Sequence, residues 1–261
     1  PESFVFVDDN PAEREIIKTQ VPGVAVPEIG EVENYIRAID HAGYFEVTNL
    51  SADDAKRNEM YKANAQRAAQ RKEFESYEDY LLSLDMNAVI CGFKPVYIQR
   101  ITQLTNKSNQ FNLTTRRYNE NEIHEVSVSP DHICICGRLL DKFGDNGIVS
   151  VVIGKCRDKE LDIELWLMSC RVLKRDMELA MLDELVRLAK ERGVERLNGY
   201  YYKTLKNNLV SELYGSFGFT RDSLTENGDS VWHMDIVNYE NRNKVIKIGN
   251  RARLKIGRAH V

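Results

Sequence analysis

LWLMSCRVLKRDMELAMLDELVR, residues 165–187, decides the fold of this chain. It begins as an apolar strand, passes through a basic turn and continues directly into an apolar-rich helix. The N-terminus of a helix presents unpaired backbone N–H groups and a partial positive charge, and here Arg171, Lys174 and Arg175 lie in the same turn. The turn also contains Cys170. This stretch therefore predicts an anion-binding site beside a thiol.

Charge is distributed unevenly along the chain. The 261 residues carry a formal net charge of −4, but residues 241–261 hold seven Lys/Arg and no Asp/Glu. Residues 1–240 therefore hold 29 basic and 40 acidic groups, a net charge of −11, and nucleic acid is not an expected partner. Five cysteines without a secretory signal indicate reduced thiols and a cytoplasmic location. No window is long and apolar enough to predict a membrane span.

The first residues have the pattern of an α/β protein. Ser3 to Val7 is typical of a buried strand, and Ala12 to Thr19 of a helix that Pro11 starts. Val24 to Pro27 is expected to form a short second strand. Because a run such as FVFV belongs inside a parallel sheet, we expect the chain to begin in the middle of a domain.

The next part of the chain, residues 31–84, has a helical pattern. Ser51 and Asp54 are spaced as an N-cap and its N3 partner before a long polar helix that extends to about Lys72. Low hydrophobicity favours an exposed helix, so this connector is expected to be a solvated spacer without chemistry.

Beyond Leu84, strands and helices alternate in the order β-α-α-β-β-β-α-β-α-β. Tight turns are predicted at 145–147 and 157–159, so that three successive strands form an antiparallel meander. The pattern predicts an α/β (α+β) fold with a mixed sheet flanked by helices. The expected strands are 87–91, 133–140, 148–155, 162–169, 196–202 and 230–236, and the expected helices are 96–107, 119–126, 176–192 and 207–216.

This element order, with a basic turn after the fourth strand, resembles the GNAT (Gcn5-related N-acetyltransferase) fold. Asn207, Tyr214, Gly218 and Phe219 match a second signature of that family. The resemblance implies that the turn binds the phosphate groups of CoA or phosphopantetheine, and that Tyr214 protonates the leaving thiolate. From the residues alone, a core aromatic is an equally good interpretation of Tyr214.

A wider resemblance links both halves of the chain. FVFVDDNPAERE resembles the fourth motif of haloacid dehalogenase (HAD) phosphatases, in which a strand-end Asp pair helps bind Mg²⁺. Together with NQFNLTTRRY (109–118), DKFGDNG (141–147) and MSCRV (168–172), it is similar to the FkbH-like family, a HAD-IIIC domain fused to a GNAT-like domain. That family implies transfer of a glyceryl or small acyl unit from a phosphorylated three-carbon acid to an acyl carrier protein.

The resemblance implies a role for each candidate site residue. Asp8 and Asp9 would bind Mg²⁺, with a helix cap or turn as the alternative interpretation of the pair. Cys170 would be a relay nucleophile whose thiolate is favoured by Arg171 and the helix N-terminus, with buried packing as the alternative. Asp141 and His124 are candidates for a general base, with turn-capping or surface roles as the alternative. The expected cofactor-binding residues are Arg171, Val172, Leu173, Lys174, Arg175, Asp176 and Asn207.

The sequence departs from both families. The GNAT phosphate loop has glycine where this chain has Lys174 and Asp176, and Asp176 adds a negative charge. The HAD nucleophile motif, Asp-x-Asp, is absent, so phosphatase activity is not expected. Residues 256–261 read like translated adapter sequence, and we expect them to be non-native.

Four regions follow from these patterns. Residues 1–30 are expected to be the remnant of a HAD-like domain, 31–84 a helical connector, 85–240 a GNAT-like acyltransferase domain, and 241–261 a non-native or disordered tail. Three functions remain open. They are acyl or glyceryl transfer to a carrier protein, CoA-dependent N-acetylation by a free-standing enzyme, and non-catalytic binding of a carrier protein.

Overall fold

The computed structural model describes residues 4–45 and 57–249. The chain divides into two compact units, residues 1–55 and 56–261. Within the described residues, no helix is long and apolar enough to cross a membrane.

The described part of the first unit, residues 4–45, contains two α-helices, α1 (Pro11–Gln20) and α2 (Tyr35–His41). Pro11 begins α1 as predicted, and the Asn10 side chain caps the helix by accepting a hydrogen bond from Ala12 N at 3.0 Å. The two strands expected here are reduced to a single parallel bridge between Val5 and Ala25.

The second unit is a mixed sheet with helices on both faces. Among the described residues the sheet order is β7-β8-β6-β5-β4-β3-β1-β9, with β2 paired to β5. In the described part of this sheet, β5–β6 and β1–β9 are the parallel pairs. The strands are β1 (Asn87–Gly92), β2 (Phe111–Asn112), β3 (His132–Asp141), β4 (Gly144–Arg157), β5 (Glu160–Met168), β6 (Arg196–Tyr201), β7 (Thr220–Leu224), β8 (Ser230–Asp235) and β9 (Lys247–Ile248).

Two apolar clusters bury the two faces of this sheet. Met181 and Leu185 of helix α7 (Met177–Glu191) pack with Ile135 and Trp166 in one cluster. Helix α5 (Ile98–Lys107) contributes Ile101 to the other. The predicted mixed sheet flanked by helices is confirmed. The helices of this unit are α3 (Arg57–Arg71), α4 (Tyr77–Ser83), α5 (Ile98–Lys107), α6 (Glu120–Val128), α7 (Met177–Glu191) and α8 (Leu213–Ser216).

Helices α3 and α4 belong to the sheet unit, whereas the sequence suggested a solvated connector. Leu81 and Leu84 at the end of α4 are buried in the larger apolar cluster. Met60 and Arg67 of α3 are also buried, and Arg67 forms an ion pair with Asp141 at 2.7 Å. Polar composition was misleading here because the few inward-facing residues of α3 make the contacts. Ser51, the expected N-cap, lies outside the described residues.

Three further predictions of local structure are wrong. The β3–β4 hairpin turns at 142–143, and 145–147 lies within β4, where the register shifts. Asp141 stabilises the turn at this earlier position, because its side chain accepts a hydrogen bond from Phe143 N at 2.9 Å. The helix expected over 207–216 is a short 3-10 helix (Asn208–Val210) followed by α8. Residues 241–249, which were expected to belong to a non-native or disordered tail, continue the fold. Lys247 N donates a hydrogen bond to Met86 O, just before β1, and Gly249 N donates to Ala88 O within β1.

Strands β5 and β6 separate halfway along their length. They pair from Glu160↔Arg196 to Ile163↔Gly199, and the end of β5 then pairs with β2 instead. Leu113 N donates to Trp166 O at 3.1 Å, while Leu113 O accepts from Tyr202 N at 2.9 Å. The segment 111–113, the wedge segment, therefore fills the space between the separating strands.

Candidate functional site

The loop between β5 and α7, the predicted phosphate-binding turn, contains two residues with left-handed backbone conformations. Lys174 and Asp176 have φ angles of 62° and 59°, in the left-handed region that favours glycine. These are the two positions where the GNAT pattern has glycine. The conformation is retained at a strain cost of about 1–2 kcal/mol per residue. Asp176 is the N-cap of α7, yet its side chain makes no capping hydrogen bond. The first N–H groups of α7 therefore receive no capping hydrogen bond from the Asp176 side chain.

The three basic residues of the loop have different surroundings. Lys174 is exposed. The Arg171 guanidinium turns back and donates to Ser169 Oγ at 3.2 Å and to Met60 Sδ. Arg175 is buried, and its Nη2 donates to Arg171 O at 2.9 Å. Of the three, Lys174 is therefore the cation most accessible to a ligand in solvent.

Two carboxyl groups begin α7. Burial raises the pKa of Asp176, and the nearby charge of Glu78 raises it further. Burial raises the pKa of Glu178 to about 7, with its own backbone N–H opposing the shift and Asp176 adding to it. Glu178 Oε2 is buried without a hydrogen-bond partner. The hydroxyl of Tyr77 donates to Lys174 O, which places the start of α4 against this loop. The negative charge of Glu178 beside the loop therefore changes with pH near neutrality.

The structure does not support Asp141 as a general base. Its carboxylate accepts hydrogen bonds from Arg67 Nη2 at 2.7 Å, Arg175 Nη1 at 3.1 Å, Asn146 Nδ2 at 3.2 Å and Phe143 N at 2.9 Å. The Asp141 side chain is fully buried. Because these donors occupy its lone pairs, Asp141 connects α3 and the loop before α7 to the β3–β4 hairpin. The other candidate base, His124, is exposed on α6.

Cys170 and the apolar residues of the loop lie on a short 3-10 helix and just after it. The Cys170 side chain is exposed, whereas Val172 is fully buried and Leu173 is half-buried against the larger core cluster. Val172 and Leu173 therefore anchor the loop through packing, and a ligand would meet their backbone. The nucleophilic role of Cys170 stays a prediction.

Asn207 is a buried structural amide in this fold. Its Nδ2 donates to Asn112 O at 3.0 Å and to Tyr202 O at 2.9 Å, and its Oδ1 accepts from Thr204 N at 2.8 Å. The Tyr201 hydroxyl also donates to Oδ1, at 3.3 Å. These hydrogen bonds occupy both amide hydrogens and the oxygen of the Asn207 side chain, which thereby connects the wedge segment to the loop after β6. No donor of this amide is left for the predicted contact with a cofactor.

Tyr214 is enclosed in the core. It is fully buried, and its ring lies 4.9 Å from Phe219 and 6.3 Å from Trp166, centroid to centroid. A Cβ at Gly199 would lie 2.5 Å from this ring, so the glycine provides the space for it. Burial raises the pKa of Tyr214 far above its ordinary value, against a smaller lowering by the backbone of Tyr200. Its hydroxyl makes no hydrogen bond within standard geometry.

Asp8 and Asp9 form the turn before α1. Asp8 Oδ1 accepts from Asn10 N at 2.8 Å, and Arg14 Nη1 donates to the backbone oxygens of both residues. No group of three His, Cys, Asp or Glu residues suited to a metal ion occurs within 4–45 and 57–249. In this part of the chain the two carboxylates alone do not complete a Mg²⁺ site.

A polar cluster that the sequence did not predict lies where β5 leaves β6. Glu164 Oε2 accepts from Arg116 Nη1 at 2.9 Å and lies 3.9 Å from His132 Nε2. Burial lowers the pKa of His132, against an opposing effect of Glu164, so the imidazole is neutral near pH 7. The Arg116 guanidinium lies 4.7 Å from the ring centroid of Tyr118, whose hydroxyl is buried without a hydrogen bond.

Neighbouring residues extend this cluster along the sheet. Asp162 Oδ1 accepts from Tyr200 Oη at 2.9 Å and from Asn198 Nδ2 at 3.1 Å. Burial and the bond to Asp162 raise the pKa of Tyr200 to about 12. The sequence does contain a signal for this cluster, namely polar residues at every second position of β5 and β6. Because side chains of a strand alternate between the two faces of a sheet, these residues lie on one face.

Comparison with known proteins gives a likeness of fold only. The sequence matches no protein-family model and no curated protein. The structure is similar to the ribosomal-protein-S18-alanine N-acetyltransferase of Escherichia coli (14% identity, 57% of this chain, 94% of that chain, TM-score 0.44). It is also similar to Ard1 of Thermoplasma volcanium (15%, 57%, 97%, 0.43). A third similar structure is the PaiA N-acetyltransferase of Thermoplasma acidophilum in complex with coenzyme A (14%, 57%, 99%, 0.44).

Proposed function

We propose that the sheet unit transfers an acyl group from a thioester whose phosphopantetheine phosphate binds at the loop 171–176. The observation that carries the proposal is the left-handed backbone of Lys174 and Asp176 immediately before α7. Backbone N–H groups at a helix N-terminus bind phosphate oxygens, and the exposed Lys174 adds a positive charge beside them.

The charge of the loop favours a carrier-bound arm over free CoA. Asp176 and Glu178 lie at the start of α7, and Glu78 also acts on Asp176. A carrier-bound arm brings one phosphodiester charge, whereas CoA brings a pyrophosphate and a further phosphate. Since repulsion grows with the product of the charges, the singly charged arm is disfavoured least.

The polar cluster around Glu164 supplies a candidate proton acceptor for the second substrate. His132 Nε2 faces Glu164 without hydrogen-bond contact, and Nδ1 is held by Ser129 Oγ at 2.8 Å. A neutral imidazole oriented in this way accepts a proton from a thiol, hydroxyl or amine. Glu164 lies about 17 Å along β5 from Ser169 at 3.3 Å per residue, so the thioester must reach it on a flexible arm.

Within this proposal, the substrate suggested by the FkbH-like resemblance is a phosphorylated three-carbon acid. The test incubates the intact protein with phosphoglycerate, a pantetheinylated carrier protein and Mg²⁺, and follows the intact mass of the carrier. A glyceryl mass increase that falls at least tenfold in Lys174→Ala, but not in the exposed control Lys142→Ala, supports it. No mass increase across several carriers and acyl donors would contradict the proposed transfer.

A non-catalytic carrier-binding module is the second candidate. The enclosed position of Tyr214 favours it, because a general acid must reach the leaving group. This alternative predicts that a pantetheinylated carrier binds without any transfer and that His132→Gln leaves binding unchanged. Tight binding of acetyl-CoA together with N-acetylation of an amine would instead identify a free-standing N-acetyltransferase.

A further inference from the structure

We propose that Cys91 and Cys136 are a site of reversible oxidation, at which a hydroperoxide converts two facing thiols into a cross-strand disulfide. The two cysteines are directly opposite each other in the antiparallel pairing of β1 and β3. Both side chains lie on the sheet face covered by α5, in the smaller apolar cluster.

The geometry of the pair is close to that of a disulfide. Residues directly opposite in an antiparallel pair have Cα atoms about 4.5–5.5 Å apart, inside the range of about 4.4–6.8 Å found in disulfides. Their Cβ atoms are about 4.5–5.5 Å apart, so an approach of about 1 Å is enough. The thiols already interact, since a side-chain hydrogen bond between them raises the pKa of Cys136.

The other cysteines lack such a partner. Cys134 Sγ donates to Val126 O at 3.4 Å, and burial raises its pKa to about 12. Cys156 is opposite Leu161, and Cys170 is exposed in the loop after β5. None of these three is paired with a cysteine in the register of the sheet.

The difference in exposure sets the order of the two steps. Cys91 is partly exposed and Cys136 is only 1% exposed, so the hydroperoxide reacts at Cys91. The Cys91 thiolate forms an S–O bond as the O–O bond breaks, giving a sulfenic acid and, after protonation, an alcohol or water. The Cys136 sulfur then forms the S–S bond, the S–O bond breaks, and water leaves with the Cys136 proton. Two thiols are oxidised and one hydroperoxide is reduced.

The disulfide closes the loop of residues 92–135. This loop contains α5, the wedge segment and α6, together with Arg116 and Tyr118 of the polar cluster around Glu164. A cross-link of this length restricts the unfolded chain strongly. Oxidised protein is therefore expected to unfold at a higher temperature than reduced protein.

The test uses the full chain, reduced and then treated with hydrogen peroxide. Free thiols are blocked with N-ethylmaleimide before digestion and mass spectrometry. The expected product links the peptides containing Cys91 and Cys136, weighs two hydrogens less than their sum, and disappears with dithiothreitol. The melting temperature should rise by several degrees on oxidation and return on reduction.

Matched variants separate this pair from general oxidation. Cys134→Ser, on the same strand, should retain the link, whereas Cys136→Ser should lose it and trap Cys91 as a dimedone adduct. If Cys136→Ser does not fold, Cys91→Ser at the more exposed position serves instead and should abolish the rise in melting temperature. Full alkylation of Cys91 and Cys136 after Cys170 has been oxidised would overturn the proposal.

Discussion

Lys174 and Asp176, two residues apart, both adopt left-handed backbone conformations directly before helix α7, with φ angles of 62° and 59°. Neither residue is glycine, so the loop keeps a backbone shape that its side chains oppose. A chain that retains two strained positions in one turn indicates a constraint on the shape of that turn. Binding of a phosphate by the N–H groups that follow is the constraint proposed here.

Replacing Lys174 by glycine should raise stability. We expect the free energy of unfolding to increase by about 1 kcal/mol, because glycine adopts positive φ without strain. Chemical denaturation measures the change. Lys206→Gly, at an exposed loop position without positive φ, is the matched control and should be neutral or destabilising. Equal losses in the two variants would contradict the strain argument.

Stability should depend on pH through Glu178. Its pKa is about 7 in the folded protein against an ordinary value of 4.5, so the folded state holds this proton more tightly than the unfolded state. The free energy of unfolding should therefore fall as pH rises from about 4.5 to about 7, by up to about 3 kcal/mol, and then level off. Glu178→Gln should remove this part of the pH dependence. An unchanged profile in the variant would rule out Glu178 as its source.

Asp141→Asn should be severely destabilising. It leaves Arg67 and Arg175 buried without their shared counter-charge, a loss of about 3–5 kcal/mol. The control Asp145→Asn weakens a more exposed pair with Arg138 and should cost less than about 1 kcal/mol. Thermal unfolding compares the two. Normal stability in Asp141→Asn combined with lost activity would restore the general-base interpretation.

Tyr214→Phe should be neutral or stabilising by up to about 1 kcal/mol, since it removes a buried hydroxyl that makes no hydrogen bond. Tyr201→Phe is the matched change, and it should cost about 1 kcal/mol because its hydroxyl bonds to Asn207. Unfolding measurements and the carrier-loading assay together decide the role of Tyr214. A large loss of transfer in Tyr214→Phe, with normal stability, would show that it acts as a general acid.

The sequence predicted the sheet well and the side-chain environments poorly. Long periodic segments such as β3 and α7 appeared within a few residues of their expected bounds, because burial of one face determines the pattern. The wedge segment is different. Its strand is two residues long, and its place between β5 and β6 depends on contacts from Asn207, nearly a hundred residues away.

The candidate site shows the same limit. The basic turn before α7 was located correctly, but Arg171 and Arg175 in it make internal hydrogen bonds. Only the fold shows that Asp141 is the partner of Arg175. The cluster around Glu164 comes from three separate segments, so no local motif marks it. Tyr214 matched a motif, yet its burial depends on Gly199 opposite.

The most direct measurement is a calorimetric comparison of phosphopantetheine with pantetheine, which lacks only the phosphate. If the loop 171–176 binds the phosphate, phosphopantetheine should bind at least tenfold more tightly, and Lys174→Ala should remove most of that difference. The comparison is made at pH 8 and at pH 6, on either side of the pKa of Glu178. Equal affinity for the two compounds at both pH values would contradict phosphate binding at this loop.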